Sequence, residues 1–229
     1  MSILIGLNNI SKNMFTDKKT LLFNSLLVCF VFIIFLLLIG QLFGCEWASG
    51  NGWRTKLPVT VVSLNGNATV THFTTDRPLL SSDVLERGEI ITTSDEGYVL
   101  LTLSNHATLA LAERTQITLD RIFNNEITIT VHKGRVIASL KDNTTSVCLL
   151  TNLTKTILQQ GSLTLVNYDF LETISVVPFS EGMMAEVSTL DQKPFSLTSP
   201  INIHETEPRE ISEITFNTSS DFYNWYALQ

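Results

Sequence analysis

The chain has 229 residues, 44% of them hydrophobic, and a formal net charge of −7. The first 44 residues hold Lys12, Lys18 and Lys19 against Asp17, a net of +2, so residues 45–229 carry −9. That acidity argues against a nucleic-acid partner, because phosphate contacts rely on clustered Lys and Arg, and the spacing of Cys29, Cys45 and Cys148 fits neither a metal knuckle nor a disulfide framework.

Residues 1–20 place Ile3, Leu4, Leu7, Ile10 and Met14 at helical spacing. They read as a short cytoplasmic leader, either an amphipathic surface helix or a tail. Residues 21–43 contain no charged side chain. At about 1.5 Å per residue such a stretch reaches roughly 34 Å, enough to cross a hydrocarbon core of about 30 Å with some tilt. A buried core helix would carry a polar stripe, and this run has none. The lysines before the run outnumber the cations just after it, Arg54 and Lys56, which places the N-terminus inside. Two rival readings remain open. A cleaved signal peptide would have a shorter apolar region, and Leu42-Phe43-Gly44-Cys45 is similar to a lipobox that would lipidate Cys45.

Residues 44–57, with Gly44-Cys45, Ser49-Gly50-Asn51-Gly52 and few apolar residues, read as a linker. From 58 to 190 the pattern is that of an all-β domain. Short segments recur every 8–12 residues between Gly, Asn, Asp or Ser: Val59–Ser63, Ala68–Phe73, Tyr98–Leu103, Thr108–Leu111, Gln116–Leu119, Ile127–His132, Arg135–Leu140, Ser146–Leu150, Ser162–Val166, Thr173–Val177 and Met184–Val187. Ile127, Ile129 and Val131 are expected inward and Thr128, Thr130 and His132 outward, by the two-residue period of a strand. No helical pattern lies between the segments, so a parallel α/β fold is not expected. The architecture is a roll, sandwich or short β-solenoid. Residues 191–229 form the last region. Pro194, Pro200 and Pro208 mark an extended surface excursion over 188–215. Ser219-Ser220-Asp221 then offers N-caps for a helix over Phe222–Leu228, whose aromatics are expected to pack back on the domain.

The sequence offers no catalytic set. It has no Gly-x-Ser-x-Gly elbow, no phosphate-binding glycine loop and no paired His–Cys nucleophile. His72, His106, His132 and His204 stand apart from one another, and His204, Glu205 and Glu207 lack a third metal ligand. Asp95-Glu96-Gly97 and Ser180-Glu181-Gly182 read as turns, and Cys148 as a small buried residue.

Five stretches, in order, resemble the FecR-type extracytoplasmic domain. They are Gly88-Glu89-Ile90-Ile91-Thr92-Thr93; Val99 through Leu111; Val131-His132-Lys133-Gly134-Arg135-Val136; Thr151 with Leu158 through Leu165; and Thr173-Ile174-Ser175-Val176 followed by Gly182. Asn105-His106-Ala107 stands where the family usually has Asp-Gly-Ser, so His106 takes the place of a turn glycine. The resemblance implies an all-β roll or sandwich outside a bacterial cytoplasmic membrane. In such families the domain senses an outer-membrane receptor and controls a sigma factor through a cytosolic module, which a leader of 20 residues is too short to contain.

The expectation is therefore a non-enzymatic single-pass membrane protein without cofactor or metal. Its β domain, extracytoplasmic or periplasmic, would bind an envelope protein or polymer as scaffold or sensor. The alternative is a transmembrane regulator of the anti-sigma type acting through a cytosolic partner. Neither the binding residues nor the oligomeric state can be read from the sequence.

Overall fold

The computed structural model describes residues 57–104, 106–123, 125–141, 145–168, 172–189, 192–206 and 210–229. The leader, the uncharged stretch 21–43, and residues 44–56 with Cys45 lie outside the described residues. Among the described residues no helix is long and apolar enough to cross a membrane.

Among the described residues the fold is all-β with one short helix at its end. The strands are β1 (Val59–Asn65), β2 (Ala68–His72), β3 (Thr75–Pro78), β4 (Val84–Leu85), β5 (Ile90–Thr93), β6 (Tyr98–Ser104), β7 (Ala107–Leu111), β8 (Gln116–Ile122), β9 (Glu126–Leu140), β10 (Ser146–Leu150), β11 (Thr154–Tyr168), β12 (Thr173–Pro178), β13 (Met184–Thr189), β14 (Phe195–Ser196), β15 (Ile201–His204) and β16 (Glu210–Glu213). The helix, α1, spans Asp221–Ala227.

The strands form one hydrogen-bonded network folded into two facing sheets. The first runs β16-β15-β12-β11-β9-β7-β6-β1-β4. The second runs β14-β13-β11-β10-β9-β8-β5-β2-β3. Strands β9 and β11, 15 residues each, belong to both. The first half of β9 pairs with β8 and, in parallel, with β10, and its second half pairs with β7 and β11. The bend falls at Gly134, where φ is +99°. A Cβ there would run into Thr115, whose backbone crosses the corner. β11 bends likewise at Gly161, where φ is +84°. Glycine is required because these backbone angles, with a second chain packed alongside, leave no room for a side chain. The sequence reading broke β9 in two at this glycine. The ladder instead continues through it, because each half finds partners on both flanks.

The alternating residues meet between the sheets. Val59, Val61, Leu101, Leu103, Leu109 and Leu111 come from the first, and Val70, Ile91, Ile117, Ile127, Ile129 and Val131 from the second, all inside one cluster. The inward set expected on β9 is thus in place. Over 188–215, where a surface excursion was expected, β14, β15 and β16 extend both sheets, and Leu197, Ile201 and Ile203 are buried. Pro194 and Pro200 stand immediately before β14 and β15 and do not prevent them, and Pro208 lies outside the described residues. Phe73, Ser82, Arg114 and Glu172 are in a left-handed conformation.

Candidate functional site

The short helix determines which surfaces of this double sheet stay open. Leu100, Ala110 and Ile137 are cross-strand neighbours on the outer face of the first sheet. With Ala112 they form a shallow apolar bed that takes Phe222 and Tyr223. Tyr98, Phe179, Phe216, Trp225 and Tyr226 surround them. Tyr98 lies 5.8 Å from Phe222 and 5.4 Å from Trp225, and Phe179 stacks on Tyr223 at 5.6 Å. Arg135, beside this bed, holds the helix from below. Its guanidinium carbon is 5.2 Å from the ring centres of both Phe222 and Tyr223. Its nitrogens donate to Glu113 Oε1 at 2.8 Å and to Ser220 Oγ at 3.2 Å. Ser220 is the N-cap residue as expected, yet its hydroxyl makes no capping bond and faces Arg135 instead. The aromatics therefore pack back on the domain.

Among the described residues no helix lies over the outer face of the second sheet. One row across it runs Thr71, Ile90, Thr118, Thr130, Leu150, Lys155 and Ser188, each opposite the next in the ladder. These residues are half-buried apart from the exposed Lys155, so the face is uneven but accessible. Short hydrogen bonds set its polar groups. Thr130 Oγ1 donates to Asp120 Oδ2 at 2.6 Å, and Thr118 Oγ1 lies 2.7 Å from His132 Nε2. Cys148 belongs to this face and not to the inter-sheet core, yet is only 6% exposed. Burial pushes its thiol pKa up, only partly countered by Lys155. Strands spaced about 4.8 Å apart make the row from Thr71 to Ser188 roughly 29 Å wide. Hydroxyls interspersed with aliphatic side chains, and one exposed lysine, suit an extended partner, either a polypeptide surface or a polymer.

A third surface lies at the end of the domain where Leu57 begins, the proximal end. Leu57 N–H donates to the Ile122 carbonyl at 3.3 Å, and Gly88 N–H to Leu119 at 2.7 Å. An open hollow of about 530 Å³ is lined there by Leu57, Val84, Leu85, Arg87, Ile122 and Phe123 among others. The β2–β3 hairpin reaches the same end, because His72 Nδ1 stands 3.6 Å from Glu89 Oε1. Glu89 is buried and accepts the Glu86 N–H at 2.8 Å. Arg77 Nη2 lies 3.9 Å from Glu89, and Arg77 Nη1 donates to Asp83 at 2.5 Å. The Leu80 N–H, then Arg77, hold the Asp83 carboxyl below its ordinary range. At the hairpin tip Phe73 adopts φ +54° and is 89% exposed, its ring meeting His72 edge-on at 4.5 Å. A left-handed Phe costs about 1–2 kcal/mol, and it buries almost nothing in return within the domain.

The histidines stay apart. His204 bridges Thr173 at 3.0 Å and Ser212 at 3.2 Å on an outer strand pair. Glu207 lies outside the described residues, and among the described residues no group of three His, Cys, Asp or Glu gathers to hold a metal. Asp95, in the turn before β6, pairs with Arg114 at 2.8 Å. The Arg135 contact with the helix was not legible in sequence, since 85 residues separate Arg135 from Ser220.

No family model matches the chain, and no curated protein matches it. Two crystal structures of a "putative anti-sigma factor" from Parabacteroides distasonis are similar, each with a TM-score of 0.47 and 14% identity. Each match covers 54% of this chain and 59% of that one, so the likeness spans less than two thirds of that protein's length. At that level it carries no argument about function.

Proposed function

We propose that the protein is a non-enzymatic, membrane-anchored binding module. Residues 21–43 cross the cytoplasmic membrane once with the N-terminus inside. The domain is FecR-like and lies outside, where it engages an envelope protein or polymer. The observation that carries the binding reading is the outer face of the second sheet: a row of mostly hydroxyl and aliphatic side chains several strands wide, which no helix among the described residues covers while α1 covers the opposite face. The FecR-like assignment is supported by the motif glycines Gly88, Gly134, Gly161 and Gly182, all at positive φ where turns and corners need them. The acidic domain favours a neutral or basic partner over a polyanion.

The test is photo-crosslinking in cells. A crosslinking amino acid at Thr130 or Leu150 is expected to capture one consistent envelope component, and the same group at Ala110, beneath α1, none. Capture of nothing reproducible from either open position defeats the reading. The anti-sigma alternative is separable: deleting residues 2–15 would abolish a transcriptional response if the leader carries the signal, and would leave it unchanged in a pure scaffold.

A further inference from the structure

The proximal end combines features that neither the core nor the open sheet face explains. Among the described residues Phe73 is the most exposed of the large apolar side chains, at 89%, and sits at a hairpin tip. Val84, 58% exposed, and half-buried Phe123 line the hollow at the same end, with Arg87 exposed on its rim. Thr74 and Thr75 beside Phe73 are exposed and uncharged. The chain continues from Leu57 toward residue 43, the last of the uncharged stretch, through 13 intervening residues. The covalent chain from residue 43 to Leu57, 14 residue steps, reaches at most roughly 50 Å, at about 3.3–3.6 Å per residue. A surface tethered that closely meets the domain at high effective concentration, so a contact too small to hold a free partner is sufficient. An interface between proteins needs about 800 Å² from each side, far more than one hairpin tip and a rim supply.

We propose that the proximal end of the β domain docks on the bilayer surface, with Phe73 set into the headgroup region and the rim of the hollow resting against it. This inference rests on the anchored reading above and adds an orientation to it. An aromatic ring followed by Thr74 and Thr75 suits the interfacial layer, where amphipathic and aromatic groups are favoured, with the charged Glu86 and Arg87 of the hollow at headgroup level. With −9 on residues 45–229, the apolar contact is opposed by anionic lipid, so docking is stronger on zwitterionic vesicles.

The experiment uses the full chain, cysteine-free except for one labelled site, reconstituted in phosphatidylcholine vesicles. An environment-sensitive fluorophore is placed by Thr75→Cys beside the tip, or by Glu96→Cys at the opposite end, which lies roughly the length of β2, about 16 Å, away. Nitroxide-bearing lipid is expected to quench the label at 75 at least about twofold more than the label at 96. Adding Phe73→Ser to the Thr75→Cys protein removes the difference, and including phosphatidylserine reduces it. Equal, water-like emission from both sites in protein that floats with the vesicles and resists carbonate overturns the docking while leaving the anchor intact. Protein that carbonate extracts overturns the anchor and the docking with it.

Discussion

Gly134→Ala compared with Gly182→Ala isolates the steric demand of the sheet corner. Both glycines have positive φ, +99° and +69°. A Cβ at position 182 would meet nothing within 4 Å, whereas one at 134 would enter Thr115, with its Cβ at 2.7 Å. Thr115 has little freedom to yield. It is fully buried, its N–H donates to Thr93 Oγ1 at 2.8 Å, and its Oγ1 accepts the Arg135 N–H at 3.0 Å. Forcing Ala into a left-handed backbone costs about 1–2 kcal/mol, of which about 0.4–1 is offset by a stiffer unfolded chain. That leaves about 1 kcal/mol for Gly182→Ala. Gly134→Ala adds an overpacking cost of about 1–3 kcal/mol, for a total of about 2–4. In a domain of this size each kcal/mol moves Tm by about 2–4 °C. Thermal unfolding followed by the β signal in far-UV circular dichroism, on full chain in detergent, is expected to show Gly182→Ala lower by about 2–4 °C and Gly134→Ala, in the same experiment, lower by about 4–16 °C and by at least twice the Gly182→Ala shift. Equal shifts for the two variants would refute the corner geometry.

Other outcomes follow from the same contacts. Arg135→Met leaves Glu113 half-buried without its cation and removes the contact beneath Phe222 and Tyr223; a loss of about 2 kcal/mol is expected, together with faster chymotryptic cleavage at Trp225 than in the parent, and unchanged cleavage would contradict the role given to Arg135. Because the folded pKa of Asp83 is lowered, its contribution to stability is complete above the unfolded value of about 3.9 and drains away as pH falls through the lower folded value; Asp83→Asn should flatten that part of a Tm–pH profile between about pH 2 and 5. With its thiol pKa raised by burial, Cys148 should react with a thiol reagent at pH 8 at least about tenfold more slowly in the folded protein than in urea, read by mass in a chain lacking Cys29 and Cys45.

What the sequence disclosed and what it concealed follow one division. Where the two-residue period runs unbroken, as in Val99-Leu101-Leu103 or Ile127-Ile129-Val131, inward faces were readable, because one sheet face must leave water. Phe73 looked like the last residue of a strand begun at Ala68, whereas the strand ends at His72 and the ring stands in solvent at the turn. Nothing local marks that boundary, since Phe and Thr favour strands on both sides of it. The parallel pairing of β10 with the preceding β9 leaves no local mark in the sequence, and the docking of α1 on Leu100, Ala110 and Ile137 joins segments far apart in the chain. The helix itself was announced by Ser219-Ser220-Asp221, but its partner Arg135 was not. The candidate binding face could be read only after the pairing order was known, because a row such as Thr118, Thr130 and Leu150 exists in the sheet and not along the chain.

The central claim, that residues 57–229 form a β domain held outside the cytoplasm by the stretch 21–43, is tested most directly by protease accessibility. A C-terminal epitope on the full chain is probed with proteinase K added to spheroplasts. The account predicts that the epitope is lost while a cytosolic marker survives, leaving a membrane-embedded fragment that retains the leader. An epitope that persists until the membrane is dissolved would contradict it.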